Sequence, residues 1–285
     1  MKSRRWFQKS ALLLGFAFLY IPIIMMIVYS FNNSRLVTVW DAANSPTLAW
    51  YGKLFQNDQI MDAAWVSIQI AAMSATAAVI LGTLAGLVLA RFGPFRGRSL
   101  LSGMSTAPLV MPEVITGLSM LLLFVALEQL FEHWFGWSFG RGMITITIAH
   151  ITFTMAYVTV VVQSRLASFD DSMEEAAMDL GAKPAKVFMK ITVPLILPAI
   201  LSGWLLAFTL SWDDVVIAQF NAGPGSNTLP MVIFSKVRLG VSPEVNALAT
   251  IMVLIVGAGV VLSALYMRRA EKRRKREEQM AVANG

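Results

Sequence analysis

Long apolar runs alternate with short polar segments along almost the whole chain. A helix needs about 20 predominantly apolar residues to cross the hydrocarbon core of a bilayer. Six runs satisfy this requirement, so the pattern predicts an all-α membrane protein with six transmembrane helices. Pro108 and Pro112 interrupt the first turns of the third helix, but membrane helices tolerate proline where neighbours satisfy the freed carbonyls. The predicted spans are residues 11–31, 64–90, 104–130, 143–163, 195–220 and 246–267.

The composition favours a membrane protein over a soluble domain. Hydrophobic residues make up 56% of the chain and charged residues only 14%, whereas about 25% of a soluble domain is charged. The net charge of +6 could indicate nucleic-acid binding, but the basic residues form clusters beside apolar runs, which is the pattern of membrane topology. The chain has no cysteine and only two histidines, so no metal site is expected.

The basic residues also predict an orientation in the membrane. Of the 23 lysines and arginines, 18 fall in one set of termini and loops. That set should be cytoplasmic, so both termini and the loop 166–194 are predicted to face the cytoplasm. The predicted organisation is a cytoplasmic N-terminus (1–10), a first transmembrane helix (11–31), a periplasmic segment (32–63), a core of helices two to six (64–267) and a basic cytoplasmic tail (268–285).

The cytoplasmic loop contains the signals of a short helix, a turn and a second short helix. Ser172 and Glu175 have the spacing of a capping box, so a helix should begin near Met173. Gly181 suits the left-handed position that ends a helix, and Pro184 suits the first turn of the next. Such a pair can dock into a groove of a cytoplasmic partner, or it can simply cover the floor of the helix bundle. The first helix has an apolar stripe formed by Met173, Ala176, Ala177 and Leu180.

This loop resembles the E-A-A-x3-G-x9-I-x-L-P motif of the membrane subunits of ATP-binding-cassette (ABC) importers. The sequence matches it from Glu175 to Pro194, with Val193 where the motif has leucine. The resemblance implies the type I ABC importer permease fold for most of the chain. It also implies that the loop couples the spans to an ATPase subunit. The residues to which it assigns coupling are Glu174, Glu175, Ala176, Ala177, Gly181, Ala182 and Lys186.

Other stretches are similar to permeases of the polyamine branch of this family. They include "APLVMPEVITGLSMLLLF" and "SGWLLAFTLSWDDVVIAQF", and the chain most resembles the second permease of a bacterial putrescine importer. The resemblance implies a multi-pass protein of the bacterial inner membrane that moves a polyamine inward. The implied partners are a sister permease in a heterodimer, two copies of a cytoplasmic ABC ATPase and a periplasmic polyamine-binding protein.

The chain itself lacks a phosphate-binding loop of the form G-x4-G-K-[ST]. We therefore expect no enzymatic activity and no cofactor on this chain, with ATP and Mg²⁺ bound by the partner ATPase. Alternatives are a permease for another small solute, a secondary transporter or a membrane scaffold. A secondary transporter usually shows internal repeats, which this sequence does not reveal, and neither it nor a scaffold needs the coupling motif.

Carboxylates within apolar spans are the candidate substrate-path residues. Each charge at the centre of a membrane helix costs about 2.5–3.5 kcal/mol on insertion scales, and paired carboxylates would balance a diammonium substrate. Adjacent residues on a helix point about 100° apart, so one aspartate of a pair can line the path while the other has a structural role. We predict that Asp213 lines the path. His150 is interpreted as a packing residue, because no acidic residue is near it in sequence. The candidates are Asp213, Asp214, Glu113 and Trp212.

Overall fold

The computed structural model describes residues 2–34, 39–170, 172–240, 242–258, 261 and 265, with side chains from residue 6 onward. All regular elements in this part of the chain are helical. They are α1 (Lys2–Tyr29), α2 (Ala49–Phe55), α3 (Asp58–Arg91), α4 (Arg98–Val110), α5 (Glu113–Phe135), α6 (Met143–Ala167), α7 (Ser172–Asp179), α8 (Pro184–Val187), a π-helical turn (Phe188–Thr192), α9 (Val193–Trp212), α10 (Val216–Asn221), α11 (Leu229–Leu239) and α12 (Pro243–Ala258).

Five helices in the described residues are long and apolar enough to cross a membrane. They correspond to α1, α3, α5, α6 and the continuous run from α8 to α9. The predicted sixth span is represented by α12, which is apolar but shorter. Apart from positions 261 and 265, the rest of that span and the whole predicted tail 268–285 lie outside the described residues. A count of six spans therefore stays a prediction.

The chain divides into two compact units. The larger one, residues 59–234, has a core where α3, α6 and α9 pack together. Small residues allow this close packing: a Cβ atom added to Gly82 of α3 would lie 2.8 Å from Cβ of Val158 on α6. Larger side chains would therefore force α3 and α6 apart. The buried members of this core are Ala75, Ala78, Val158, Val162, Leu166, Ile196 and Ala207.

A second cluster of the same unit joins α5, α6 and α10. Phe124, Ala149, Phe153 and Ile217 are buried together there. α5 approaches α10 closely at Gly117, where an added Cβ atom would lie 2.8 Å from Cδ2 of Phe220 and 3.3 Å from Cα of Ile217. α10 is therefore fixed against the long helices although it has only six residues.

The smaller unit contains residues 1–58 and 235–285. Its loop after α1 is organised by Asn32, a residue with 1% of its surface exposed. The amide of Asn32 donates to the carbonyl of Val39 at 2.7 Å, and the carbonyl of Asn32 accepts from Nε1 of Trp50 at 2.8 Å. In the same unit the ammonium of Lys53 lies 4.4 Å from the ring centroid of Trp50. The predicted periplasmic segment 32–63 is thus structured where it is described.

Two predicted spans are wrong as continuous helices. The span 104–130 is divided at Met111, which is extended (φ −78°, ψ 136°), because the residue before a proline is pushed out of the α conformation. The span 195–220 ends at Trp212, and a new helix begins at Val216. Both breaks carry candidate residues: Glu113 begins α5, and Asp213 follows α9.

Candidate substrate path and coupling segment

The break between α9 and α10 places Asp213 and Asp214 in different surroundings. Asp213 is exposed and follows the last residue of α9. Asp214 is buried, with 4% of its side chain exposed. The sequence-based prediction put both residues inside a helix, but here they occupy its interruption. α9 has 20 residues and is about 30 Å long, so this break lies at the opposite end of α9 from the predicted coupling loop.

Asp214 stabilises the break itself. Its Oδ2 atom accepts from the backbone N–H of Ala218 at 2.7 Å, and Oδ1 accepts from that of Ile217 at 3.3 Å. These N–H groups belong to the first turn of α10, which has no intrahelical partners for them. The carboxylate therefore caps α10 and ends the preceding helix at the same point.

A buried hydrogen-bond chain continues from Asp214 through α6 and α9 to α3. Oδ2 of Asp214 lies 3.1 Å from Nε2 of His150, and Nδ1 of His150 lies 2.7 Å from Oγ of Ser211. Oγ of Ser74 donates to Oγ of Ser211 at 2.9 Å. An ionised carboxylate only accepts, so we assign a proton to Nε2 of His150. Each of these side chains is satisfied by its neighbours.

Sequence reasoning missed the partner of His150. The expectation of a packing residue without an acidic neighbour relied on sequence distance, and Asp214 is 64 positions away. The available signal was a single histidine in one predicted span and an unexplained second carboxylate in another. Because buried polar groups require partners, these two residues were candidates for a pair.

Asp213 and Glu113 line one cavity of about 310 Å³ in the larger unit. Phe153, Leu210 and Val216 provide apolar walls. Asp214 also borders this cavity, but its oxygens are already engaged with His150 and α10. The described lining residues include carboxylates and no lysine or arginine, so the cavity favours a cation. Its volume is within the usual range for a small-molecule site.

Trp212, the fourth candidate, ends an aromatic stack along α9. The ring of Phe208 is 6.1 Å from that of Trp212 and 5.2 Å from that of Trp204, and both pairs are nearly parallel. Nε1 of Trp204 donates to Oγ1 of Thr76 on α3 at 3.1 Å. The stack begins within the span and ends next to Asp213, which places an aromatic surface beside the break.

The helix–turn–helix predicted for the loop 166–194 is present. α7 begins at Ser172 itself, whereas the capping box placed Ser172 just before the helix, and the N–H of Ser172 donates to Oδ1 of Asp170 at 3.1 Å. Gly181 has φ +84°, as a left-handed helix end requires. Its N–H donates to the carbonyl of Met178, and that of Ala182 donates to the carbonyl of Ala177. These two bonds form a Schellman motif.

The coupling candidates differ in exposure. Met173 and Leu180, at the two ends of the predicted apolar stripe, are 58% and 89% exposed. An apolar stripe whose two ends the described residues leave uncovered is typical of a docking surface. Among the assigned residues, Glu175, Ala176, Gly181 and Lys186 are exposed, Ala177 and Ala182 are half-buried, and Glu174 is also half-buried because it contacts its own chain.

A family described as "Binding-protein-dependent transport system inner membrane component" matches residues 78–276 of the chain. The chain is 58% identical over 270 residues to the putrescine transport system permease protein PotI of Escherichia coli strain K12, covering 95% of this chain and 94% of that protein. It is 42% identical over 267 residues to the spermidine/putrescine transport system permease protein PotC of Haemophilus influenzae, covering 94% and 98%.

The fold is also similar to that of a solved transporter. A chain of a bacterial ABC transporter involved in the import of the acidic polysaccharide alginate superposes with a TM-score of 0.70. The alignment covers 94% of this chain and 97% of that chain. Because the sequence identity is 18%, this similarity concerns the fold alone.

Proposed function

Because the chain belongs to the family of inner-membrane components of binding-protein-dependent transport systems, we propose that it is the permease subunit of an ATP-driven importer of putrescine or a related polyamine. The substrate assignment depends on one observation, the 58% identity to a putrescine permease along 95% of the chain. The carboxylate cavity at the α9–α10 break supports it, since a polyamine is a cation with several ammonium groups.

The proposed path begins at this cavity. A binding protein delivers the polyamine from outside, and Glu113 and Asp213 attract its ammonium groups. Both carboxylates are exposed in the isolated chain, so their contacts with the substrate are partly hydrated and weak. Weak contacts suit a transport path, because tight binding would delay release. Trp212 adds an aromatic face that attracts an ammonium group by a cation–π interaction.

The proposed complex needs partners for energy and for the second half of the path. We propose a heterodimer with a sister permease, two copies of an ABC ATPase that bind ATP and Mg²⁺, and a periplasmic polyamine-binding protein. The exposed apolar stripe of α7 and the rigid Gly181 turn support the assignment of residues 166–194 as the segment that meets the ATPase. The chain itself then takes no part in ATP hydrolysis.

Transport by the complete complex tests this proposal. The complex, reconstituted in liposomes with its binding protein, should take up labelled putrescine when ATP is enclosed with the ATPase subunits. Spermidine and an uncharged solute of similar size serve as comparisons. Uptake that needs ATP and the binding protein and prefers a polyamine is expected. Uptake of the uncharged solute without polyamine transport would contradict the substrate assignment.

The proposed orientation gives a separate prediction. The native chain has no cysteine, so single cysteines at the exposed positions Asn44, Asn227 and Ala185 report their own accessibility. A membrane-impermeant maleimide added outside intact cells should label Asn44→Cys and Asn227→Cys and should label Ala185→Cys only after the membrane is opened. External labelling of Ala185→Cys would reverse the topology and remove the basis for ATPase coupling.

A further inference from the structure

We propose that Glu174 and Glu175, although adjacent in the coupling motif, have separate tasks. Glu174 is an internal tether that holds α7 to α3 and to the π-helical turn before α9, whereas Glu175 faces the ATPase. This inference depends on the proposed function of residues 166–194 as the coupling segment. It departs from the sequence-based prediction, which placed both glutamates in one set of ATPase contacts.

The two oxygens of Glu174 contact two different elements. Oε1 accepts from Oγ1 of Thr192 at 2.8 Å, and Oε2 lies 3.3 Å from Nε of Arg91. Thr192 is in the π-helical turn, and Arg91 is the last residue of α3. Only 15% of the Glu174 side chain and 16% of the Arg91 side chain are exposed, whereas Glu175 is exposed. One half-buried carboxylate therefore joins three segments that are distant in sequence.

The end of α3 is a well-fixed attachment point. The guanidinium of Arg98, in the first turn of α4, donates to the carbonyl of Leu89 at 2.9 Å and also to that of Gly93. The bond to Leu89 satisfies a carbonyl in the last turn of α3, which the helix leaves without a partner, and the bond to Gly93 fixes the loop that follows. Arg91 thus belongs to a short segment that is held on both sides. The contact with Arg91 therefore connects Glu174 to a fixed part of the larger unit.

Through Glu174, a displacement of α7 acts directly on two spans. α3 and α9 meet in the main core of the larger unit, and Glu174 contacts the cytoplasmic-loop end of α3 together with the turn that leads into α9. When the ATPase displaces α7 through Glu175 and the exposed apolar stripe, Glu174 conveys the displacement to both helices.

Matched variants in the complete complex test the division of tasks. Glu174→Gln and Glu175→Gln each remove one charge from neighbouring positions. Three quantities are measured: the amount of ATPase subunit that copurifies, the rate of ATP hydrolysis and the putrescine taken up per ATP. For Glu174→Gln we expect parental copurification and an uptake per ATP about fivefold lower, because a half-buried charged hydrogen bond is weakened. For Glu175→Gln we expect reduced copurification.

Two further variants separate a tether from a general loss of structure. Thr192→Val should lower uptake per ATP and Thr192→Ser should restore it, because serine keeps the hydroxyl that Glu174 accepts from. Arg91→Gln combined with Glu174→Gln should lose less than the sum of the two single losses, since the two variants share the Glu174–Arg91 contact. Additive losses would overturn the pairing of Arg91 with Glu174.

The remaining outcomes are distinguishable. If Glu174→Gln releases the ATPase subunit as Glu175→Gln does, Glu174 belongs to the interface and the proposal is wrong. Parental uptake per ATP in Glu174→Gln would also overturn it. If the parental complex retains no ATPase subunit, the proposed function of the loop has failed, and that result is seen before any variant is compared.

Discussion

Asp213→Asn should lower ATP-driven putrescine uptake at limiting substrate by about tenfold to a hundredfold, with the complex still assembled. The range corresponds to the loss of one charged hydrogen bond, about 1.5–3 kcal/mol. Asp213 is exposed at the end of α9 and lines the same cavity as Glu113, so its charge is available to a cation and is not needed for packing. The measurement is initial uptake into liposomes as a function of putrescine concentration.

Asp214→Asn is the matched control, because it makes the same chemical change one residue away. Its carboxylate caps α10 and accepts from His150 in a buried site, and a buried polar group left without its partner costs about 1–3 kcal/mol. This variant should lose thermal stability and assembly in detergent, which Asp213→Asn retains. Normal uptake by Asp213→Asn in an intact complex would show that this carboxylate is not part of the substrate path.

Gly181→Val should leave the protein in the membrane and lower putrescine uptake by about tenfold or more. An L-residue in the left-handed conformation costs about 1–2 kcal/mol, and a β-branched residue is especially unfavourable there. The space around Gly181 is open, with no atom within 4 Å of an added Cβ, so the backbone alone is affected. Uptake per ATP and copurification of the ATPase subunit report whether the α7–α8 pair still docks.

Gly181→Asn supplies the control for that backbone effect. Asparagine adopts the left-handed conformation more readily than other residues with a side chain, and the open surroundings accommodate it. The asparagine variant should therefore retain most of the uptake that valine removes. Equal losses in both variants would indicate that the side chain blocks a contact, and equal retention would indicate that the turn does not contribute to coupling.

The helix–turn–helix shape of the proposed coupling segment was predictable because its signals are local. Gly181 and Pro184 are separated by two residues, and each determines the backbone at its own position. The relation between Glu174 and Arg91 was not predictable in this way, because their contact depends on how α3 and α7 are arranged in space. Local motifs therefore gave the shape of this segment but not the difference between two neighbouring glutamates.

The breaks in the spans show the same limit. Pro112 was a visible signal near the first break, yet the apolar pattern continued across it and favoured one long helix. The second break has no proline; it depends on Asp214, whose cap on α10 and bond to His150 exist only in the folded protein. The hydrophobic pattern locates the membrane segments well. It does not show where a helix ends within a segment because a polar side chain accepts hydrogen bonds from backbone N–H groups.

The π-helical turn Phe188–Thr192 also changes how the phase of the following helix should be counted. The buried side chain of Ile196 lies nine positions after that of Val187, and nine α-helical steps would place the two about 180° apart. A π turn absorbs one extra residue, so their angular separation falls to that of eight steps, about 80°. The turn is thus equivalent to a single inserted residue, and it moves the buried side chains of α8 and α9 from opposite sides of the helix to positions about 80° apart. A prediction of the buried face of α9 that assumes a continuous α-helix from α8 is therefore displaced by one residue.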